Sequence, residues 1–356
     1  MLSNEMTKKL KIMYPIIQAP MAGGVTTTEL VTAVSSAGGL GMIGAGYMNA
    51  EQMRNQIREV KQLTSKPFGI NLFVPAVFNA SANTIKASNQ LLNPVRKELG
   101  LPPKEYMDMT SYQELIEVFH EQIQVVIEEN IPVCSFTFGI PSHEVMEKLK
   151  RENVILIGTA TTVDEAIENE EGGMDIIVVQ GSEAGGHRGS FLQEEEDPVG
   201  LMSLIPQTVD QVSIPIIAAG GIMDGRGLMA AICLGAKGVQ MGTAFLTCAE
   251  SGALKVHKEA ILQAKESETV LTRSFSGKLA RGITNKFIRE MQRHEREWPD
   301  FPIQNTLTQD IRKTSGEKGK ADYLSLWCGQ SPRLAKSITA EDMIKKIISE
   351  AEGIKI

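Results

Sequence analysis

The sequence predicts an α/β chain folded as a (β/α)8 (TIM) barrel, with an insertion after the third strand and a helical C-terminal addition. Three observations predict it. Short apolar runs without polar alternation recur along the chain, as expected of parallel strands covered on both faces. A segment with helical periodicity follows nearly every run, commonly behind a capping residue. Eight such units fit within roughly 250 residues, the usual size of a closed barrel. The linker that would separate two doubly wound domains is missing.

Residues 16–20 (IIQAP) give the first strand, ended by a proline. Residues 28–37 follow as a helix, with threonines at 26–28 as caps, Glu29 in the first turn and Gly38-Gly39 as the stop. Residues 40–43 form the second strand. The helix 50–63 then places Met53, Ile57 and Val60 on one face, and 67–73 (PFGINLF) is the third strand. The rhythm pauses at 74–111, where Pro75, Asn93-Pro94 and Pro102-Pro103 punctuate the chain. This is read as an insertion with a short helix. Helix 113–129, strand 132–138 and helix 142–151 resume the alternation. Three tight units follow: 153–158 with 162–170, 175–180 with 199–211 across a long Gly-rich loop, and 214–219 with 224–234. Residues 237–241 are the eighth strand, and a helix starts at Thr243 and runs to 248. The tail, 251–356, reads as amphipathic helices, a charged stretch at 289–297, a loop around 299–302 and a last barrel helix near 340–352. One domain, 1–356, is expected, with the insertion at 74–111 and the helical addition at 251–340.

Composition narrows the function classes. The 356 residues are 42% hydrophobic and 22% charged, which excludes disorder as the dominant state. Lysine and arginine number 36 against 43 acidic residues, a net charge of −7 without a basic block, so no nucleic-acid partner is expected. No apolar run reaches the ~18 residues of a membrane span, and the N-terminus lacks the apolar core of a secretory signal. Cys134, Cys233, Cys248 and Cys328 lie far apart and form no C-x-x-C pair, which argues against zinc or a redox dithiol. Reduced thiols and a cytoplasmic location are the expectation. The sequon at Asn79-Ala80-Ser81 is read as chance.

Chemistry in this fold gathers at the C-terminal ends of strands. The chain turns polar or glycine-rich at those ends: Gln18 to Gly24, Asn71, Gln180 to Gly189, Gly220-Gly221 and Gln240 to Thr243. The last two follow the seventh and eighth strands, where glycines let the backbone approach a phosphate. The alternative is that they only form tight turns. Asn71 and Gln180 end apolar strands, and their amides suit the edge of a heteroaromatic ring; alternatively each satisfies its own loop. His187 is the one histidine in a glycine-rich strand-end loop, suited to act as a base or as a cationic clamp, or else satisfied by a backbone carbonyl. Arg188 adds charge beside it. His120, His143 and His257 fall on helices and His294 among charges, so packing or surface roles are expected of them. Gly39-Leu-Gly41-Met-Ile-Gly44 fits G-x-G-x-x-G, but its glycines straddle a strand behind a helix, so it is no dinucleotide fingerprint. Metal-ligand spacings do not occur, cysteine nucleophiles are not expected, and the acidic run 194–197 reads as a solvated lid.

Pro15-Ile-Ile-Gln-Ala-Pro-Met-Ala-Gly-Gly24, Gly69-Ile-Asn-Leu-Phe-Val-Pro75, Gln180-Gly-Ser-Glu-Ala-Gly-Gly-His187 and Gly238-Val-Gln-Met-Gly-Thr243 together resemble the nitronate monooxygenases over nearly the whole chain. The E-A-G-G-H segment is the most specific part. The resemblance implies non-covalent FMN and oxidation of alkyl nitronates, propionate 3-nitronate especially, by O2 to a carbonyl compound and nitrite through a flavin semiquinone. It implies His187 as the residue that binds nitronate, offsets its charge with or without Arg188, and deprotonates neutral nitroalkanes. It assigns FMN to Asn71, Gln180, Gly185, Gly221, Gln240, Met241, Gly242 and Thr243, with Met21 and Gly23 along the flavin face; Gly220 joins them from the seventh-strand turn. A small-molecule nitronate and O2 are the implied partners, with a homodimer left open. FMN-dependent enoyl-acyl-carrier-protein reductases share these motifs and are the alternative. The long insertion and Tyr323-Leu-Ser-Leu-Trp-Cys-Gly-Gln330, which resembles the Y-x-S-L-W-x-G-Q tail of the monooxygenases, favour the first family. Cys328 stands where members often have Ala.

Overall fold

The computed structural model describes residues 2–78, 81–107, 110–193 and 197–354. The sequon asparagine and most of the acidic run at 194–197 lie outside them. Eight parallel strands form the barrel: β1 (Ile16–Gln18), β2 (Gly41–Gly44), β3 (Phe68–Phe73), β4 (Val133–Thr137), β5 (Ile155–Ala160), β6 (Ile176–Gln180), β8 (Ile216–Ala219) and β9 (Gly238–Met241). The two-residue β7 (Gly186–His187) lies between β6 and β8 in sequence and outside the barrel. Barrel order is β1-β9-β8-β6-β5-β4-β3-β2. The ring closes between β1 and β2, where Gln18 N donates to Leu40 O and Leu40 N to Ile16 O. The buried Gln18 side chain completes this short seam, its amide bridging Met42 O (3.3 Å) and Met42 N (3.0 Å). Gln18 is therefore a staple of the barrel.

The barrel interior is apolar, with Ile17, Met42, Val133, Ile157, Val178 and Ile217 in one cluster. Its N-terminal end is plugged by a helix not anticipated from the sequence, Glu5–Leu10, which buries Met6 and Leu10 and is capped by Asn4. A longer apolar layer lies between strands and outer helices. The last helix, Ala340–Gly353, packs Ile344 and Ile347 into it and touches the helices Thr28–Ser36 and Gly225–Cys233, which joins the end of the chain to its start.

The insertion and the tail depart from expectation. The insertion holds a 17-residue helix, Ala82–Glu98, that runs through Pro94. Proline removes one intrahelical bond. Here Asn93 is no breaker; its side chain accepts from Lys104 N (2.9 Å) and Arg96 Nη1 (3.0 Å), while Leu92, Val95 and Leu99 are buried. The tail is not wholly helical. β10 (Thr269–Thr272) and β11 (Ala280–Ile283) pair antiparallel, and β11 also pairs with β7, so the tail grips the His187 loop through backbone bonds. The helix after β9 spans only Thr243–Leu246.

Insertion and tail share a core of their own, which includes Leu92, Val95, Phe275, Phe287, Trp298, Leu307 and Tyr323. Arg96 is fully buried in it, bonded to Leu307 O (2.8 Å) and Asp310 Oδ2 (3.1 Å). Arg96→Met should lower the unfolding free energy by about 3 kcal/mol, the low end for breaking a buried pair, because Lys104 still faces Asp310. Both tryptophans of the chain pack in or against this cluster, so fluorescence-monitored denaturation reads it.

Candidate active site

A cavity of about 1260 Å³ opens at the C-terminal ends of the strands, roofed by the insertion and tail. Ligand sites usually hold ~300–1,000 Å³, so a large cofactor and a small substrate fit together. Met21, Gly23, Asn71, Gln180, Gly185, His187, Gly220, Gly221, Gln240, Gly242 and Thr243 all line it. Met241 does not. Its side chain points into the apolar layer behind β9.

One end of the cavity is built from backbone. Gly220 and Gly221 have φ of 134° and 67°, which side-chain-bearing residues rarely adopt. Ser331 Oγ would lie 3.4 Å from a Cβ on Gly221, so this hydroxyl faces the same turn. Thr243 Oγ1 accepts from Gly329 N (3.0 Å), and the hydroxyl also lies beside the Cys328 thiol. The tail segment carrying Gly329 crosses the loop after β6 closely, and Gln330 N donates to Glu183 O (3.0 Å). A Cβ on Gly185 would lie 2.6 Å from Cys328 C and from Gly329 N. These turns and hydroxyls can hold a phosphate.

Further in, amides project from the strand ends. Asn71 donates to Ser135 Oγ (2.9 Å) and Thr137 Oγ1 (3.0 Å), so Oδ1 remains as an acceptor. The Gln240 amide has no protein partner among the described residues. Gln180 behaves differently: Nε2 donates to His187 O (3.0 Å) and Oε1 accepts from Gly189 N (2.8 Å). It braces the histidine loop first. Arg188 is 1% exposed, and Nη1 donates to Gln180 O (3.0 Å) and Gly181 O (2.7 Å). It supports the loop from beneath and is not a cavity residue, contrary to the sequence expectation of charge beside His187.

His187 stands among aromatic rings: Trp327 at 5.4 Å, Phe138 at 6.0 Å and Phe301 at 6.0 Å between centroids. Its Nε2 lies 2.8 Å from Ser276 Oγ. Ser276 gives its single proton to Lys278 O (3.0 Å), so its oxygen accepts from Nε2–H and Nδ1 is the basic nitrogen. Burial, then the charges of Lys278 and Arg312, push His187 down to about 3. The ring is neutral at ordinary pH. Burial also brings Lys278 down to about 8 and lifts Tyr47 to about 12.

The comparisons with known proteins decide the family. The family model for nitronate monooxygenase matches residues 3–350. The chain belongs to the nitronate monooxygenase family. The probable nitronate monooxygenase of Staphylococcus haemolyticus (strain JCSC1435) is 51% identical over 355 residues, covering 99% of this chain and 98% of that protein. That of Staphylococcus aureus (strain Newman) is 52% identical over 353 residues, with the same shares covered. Among solved structures, the nitroalkane oxidase from Streptomyces ansochromogenes superposes with a TM-score of 0.88 at 35% identity, covering 98% of each chain. FabK from Thermotoga maritima gives 0.78 at 31% identity, covering 99% of this chain and 97% of that one. This member of the nitronate monooxygenase family is an oxidoreductase that acts on a small molecule. No helix among its described residues is long and apolar enough to cross a membrane.

Several residues of this family member's cavity escaped sequence reasoning. Lys278, Phe301, Arg312 and Trp327 line it from the tail, and Ser276 bonds His187 from behind the wall; only Trp327 fell in a quoted motif. His257, expected to serve packing or surface, lines the cavity; its Nε2 meets Trp327 O at 3.0 Å, and burial lowers it to about 4. Glu165 is a buried carboxylate that accepts from Phe191 N (2.5 Å), Leu192 N (3.1 Å) and Thr161 N (2.7 Å), pinning the strand end and the loop after His187 together. Its place on the helix Val163–Glu171 gave no functional signal.

Proposed function

We propose that the chain is an FMN-dependent nitronate monooxygenase that converts alkyl nitronates, propionate 3-nitronate among them, with O2 to a carbonyl compound and nitrite. The observation that carries this reading is the neutral His187 set in an aromatic wall of the same cavity whose far turns are formed by Gly220-Gly221 and Gly242-Thr243. The residues fit FMN. The turns, Thr243 and Ser331 would hold the phosphate, and the acceptor on Asn71 and the unpartnered Gln240 amide would meet the ring edge. When bound, FMN supplies the electron transfer between nitronate and O2.

The protein supplies position and proton handling. With a neutral nitroalkane, His187 Nδ1 takes the proton from the carbon bearing the nitro group. The imidazolium then forms beside the new anion, which offsets the low proton affinity that burial imposes. Ser276 accepts from Nε2–H before and after the transfer, so Nδ1 is the nitrogen that gains the proton. With a preformed nitronate no such transfer is needed, and the rings of Phe138, Phe301 and Trp327 exclude water around the reacting carbon.

The pH profile follows. Lys278 faces Glu165 and Asp300, which favour its charge, and Arg273, which opposes it; burial dominates. As pH rises through about 8 the cavity loses this cation, and kcat/KM for a nitronate should fall by about tenfold, roughly 1.4 kcal/mol of charge attraction. His187 contributes no step near the usual histidine range, because it is already neutral there. Steady-state rates from pH 5 to 10 check both statements. The function itself is tested by anaerobic mixing of FMN-loaded protein with propionate 3-nitronate and, separately, with NADH. Nitronate should change the flavin spectrum and NADH should not; the reverse would favour an enoyl reductase.

A further inference from the structure

We infer that Lys278 and Arg312, rather than His187, hold the negative charge of the substrate, and that Arg312 selects nitronates carrying a second anionic group remote from the reacting carbon. The inference rests on the nitronate reading above and names the residues that would set its specificity.

The chain carries a net charge of −7, yet its cavity has the opposite sign. Among the described lining residues the cations are Lys278 and Arg312, and the one carboxylate, Asp300, is paired with Arg273 at 3.0 Å. The two cations occupy different places. Lys278 Nζ lies 5.1 Å from the Phe138 ring centre and donates to Ser190 O (2.9 Å), on the loop that follows His187. Arg312 comes from the cap helix Gln309–Glu317. Its Nε donates to Thr308 Oγ1 (3.2 Å) and its Nη2 to Asn305 O (2.7 Å) and Oδ1 (2.9 Å). Those bonds fix the guanidinium plane and leave Nη1 without a protein acceptor among the described residues. The nearby acid, Asp310, is taken by Arg96 (3.1 Å) and Lys104 (2.8 Å). Phe301 lies 6.0 Å from His187 and 6.4 Å from Tyr47, the phenol that feels the Arg312 charge.

A half-buried cation whose neighbouring carboxylate is taken by other cations gains from an anionic ligand, and a rigid guanidinium with an open edge matches a carboxylate. Lys278, on the His187 side, suits the nitronate group. Arg312, held by Asn305 and Thr308 on the tail helix, suits a second anion a few bonds away. A neutral alkyl end would leave Arg312 unpaired.

The test uses FMN-loaded enzyme with propionate 3-nitronate and propyl-1-nitronate, which differ in the second charge. Arg312→Gln should raise KM for the dianion about 30-fold and for the monoanion less than about twofold, with kcat nearly constant. Lys278→Met should raise both KM values by about tenfold. Binding without turnover is read from the flavin absorbance on titration with succinate and butyrate. Arg312→Gln should weaken succinate alone, and Arg312→Lys should restore part of that affinity. An Arg312→Gln enzyme that loses both nitronates equally, or neither, overturns the assignment. If the wild-type enzyme oxidises neither nitronate, the reading of the reaction fails, while the succinate titration still decides whether Arg312 binds an anion.

Discussion

Replacing His187 with Asn is expected to lower turnover of a neutral nitroalkane by about 10²–10⁴-fold, the usual contribution of a positioned base. Preformed nitronate should be affected far less, since its carbon has already lost the proton. FMN should stay bound, because the turns that would hold its phosphate lie elsewhere in the cavity and His187 is tied to the tail through Ser276. The check is nitrite release from the nitroalkane and from its nitronate side by side, with flavin content measured on the same sample. Equal losses on both substrates would point to damaged packing against Trp327 and Phe301. An unchanged nitroalkane rate would remove His187 from the reaction.

Gly185→Val is expected to abolish stable cofactor retention. The new Cβ would fall within 2.6 Å of two backbone atoms, Cys328 C and Gly329 N, and neither can yield as a flexible side chain does. The loop after β6 and the tail segment at Cys328 and Gly329 must then separate. Thr243 loses the contact from Gly329 N, and the turn around Ser331 shifts. Overpacking of this kind costs about 1–3 kcal/mol, and concentrated on the phosphate end it should raise the FMN dissociation constant by about 100-fold. Flavin fluorescence on titration of the apoprotein measures it. Gly353→Ala is the control, since a Cβ there meets nothing within 4 Å. Undiminished FMN affinity in the Gly185 variant would show that the close crossing is not needed for the cofactor.

The barrel was legible because its signal is local. Apolar runs such as Ile176–Gln180 and helices such as Ala50–Leu63, with Met53, Ile57 and Val60 buried, declare themselves within a dozen residues. The strand-end glycines and amides were legible for the same reason, as the topology sends every strand end to one rim. The cap was not. β11 pairs locally with β10, but its second partner is β7, more than ninety residues earlier, and nothing within Ala-Arg-Gly-Ile announces it. The run Thr-Val-Leu-Thr of β10 did carry a β-branched signal that could have been weighed. Pro94 misled because its lost bond is outweighed by tertiary burial of Leu92, Val95 and Leu99. Lys278 and Arg312 were invisible as cavity residues, since a lone cation in a polar segment looks like any solvated charge until the fold encloses it. Of the two roles left open for His187, base or cationic clamp, burial and two nearby cations favour the neutral base.

The central claim is that this cavity oxidises a nitronate with O2 and needs no nicotinamide. Its most direct test is nitrite release by the FMN-reconstituted protein from propionate 3-nitronate in air, with O2 uptake followed in the same vessel. Nitrite formed in step with O2 consumption, in the absence of NADH and NADPH, is the expected result. Absence of nitrite, together with NADH oxidation that depends on an enoyl thioester, would contradict it.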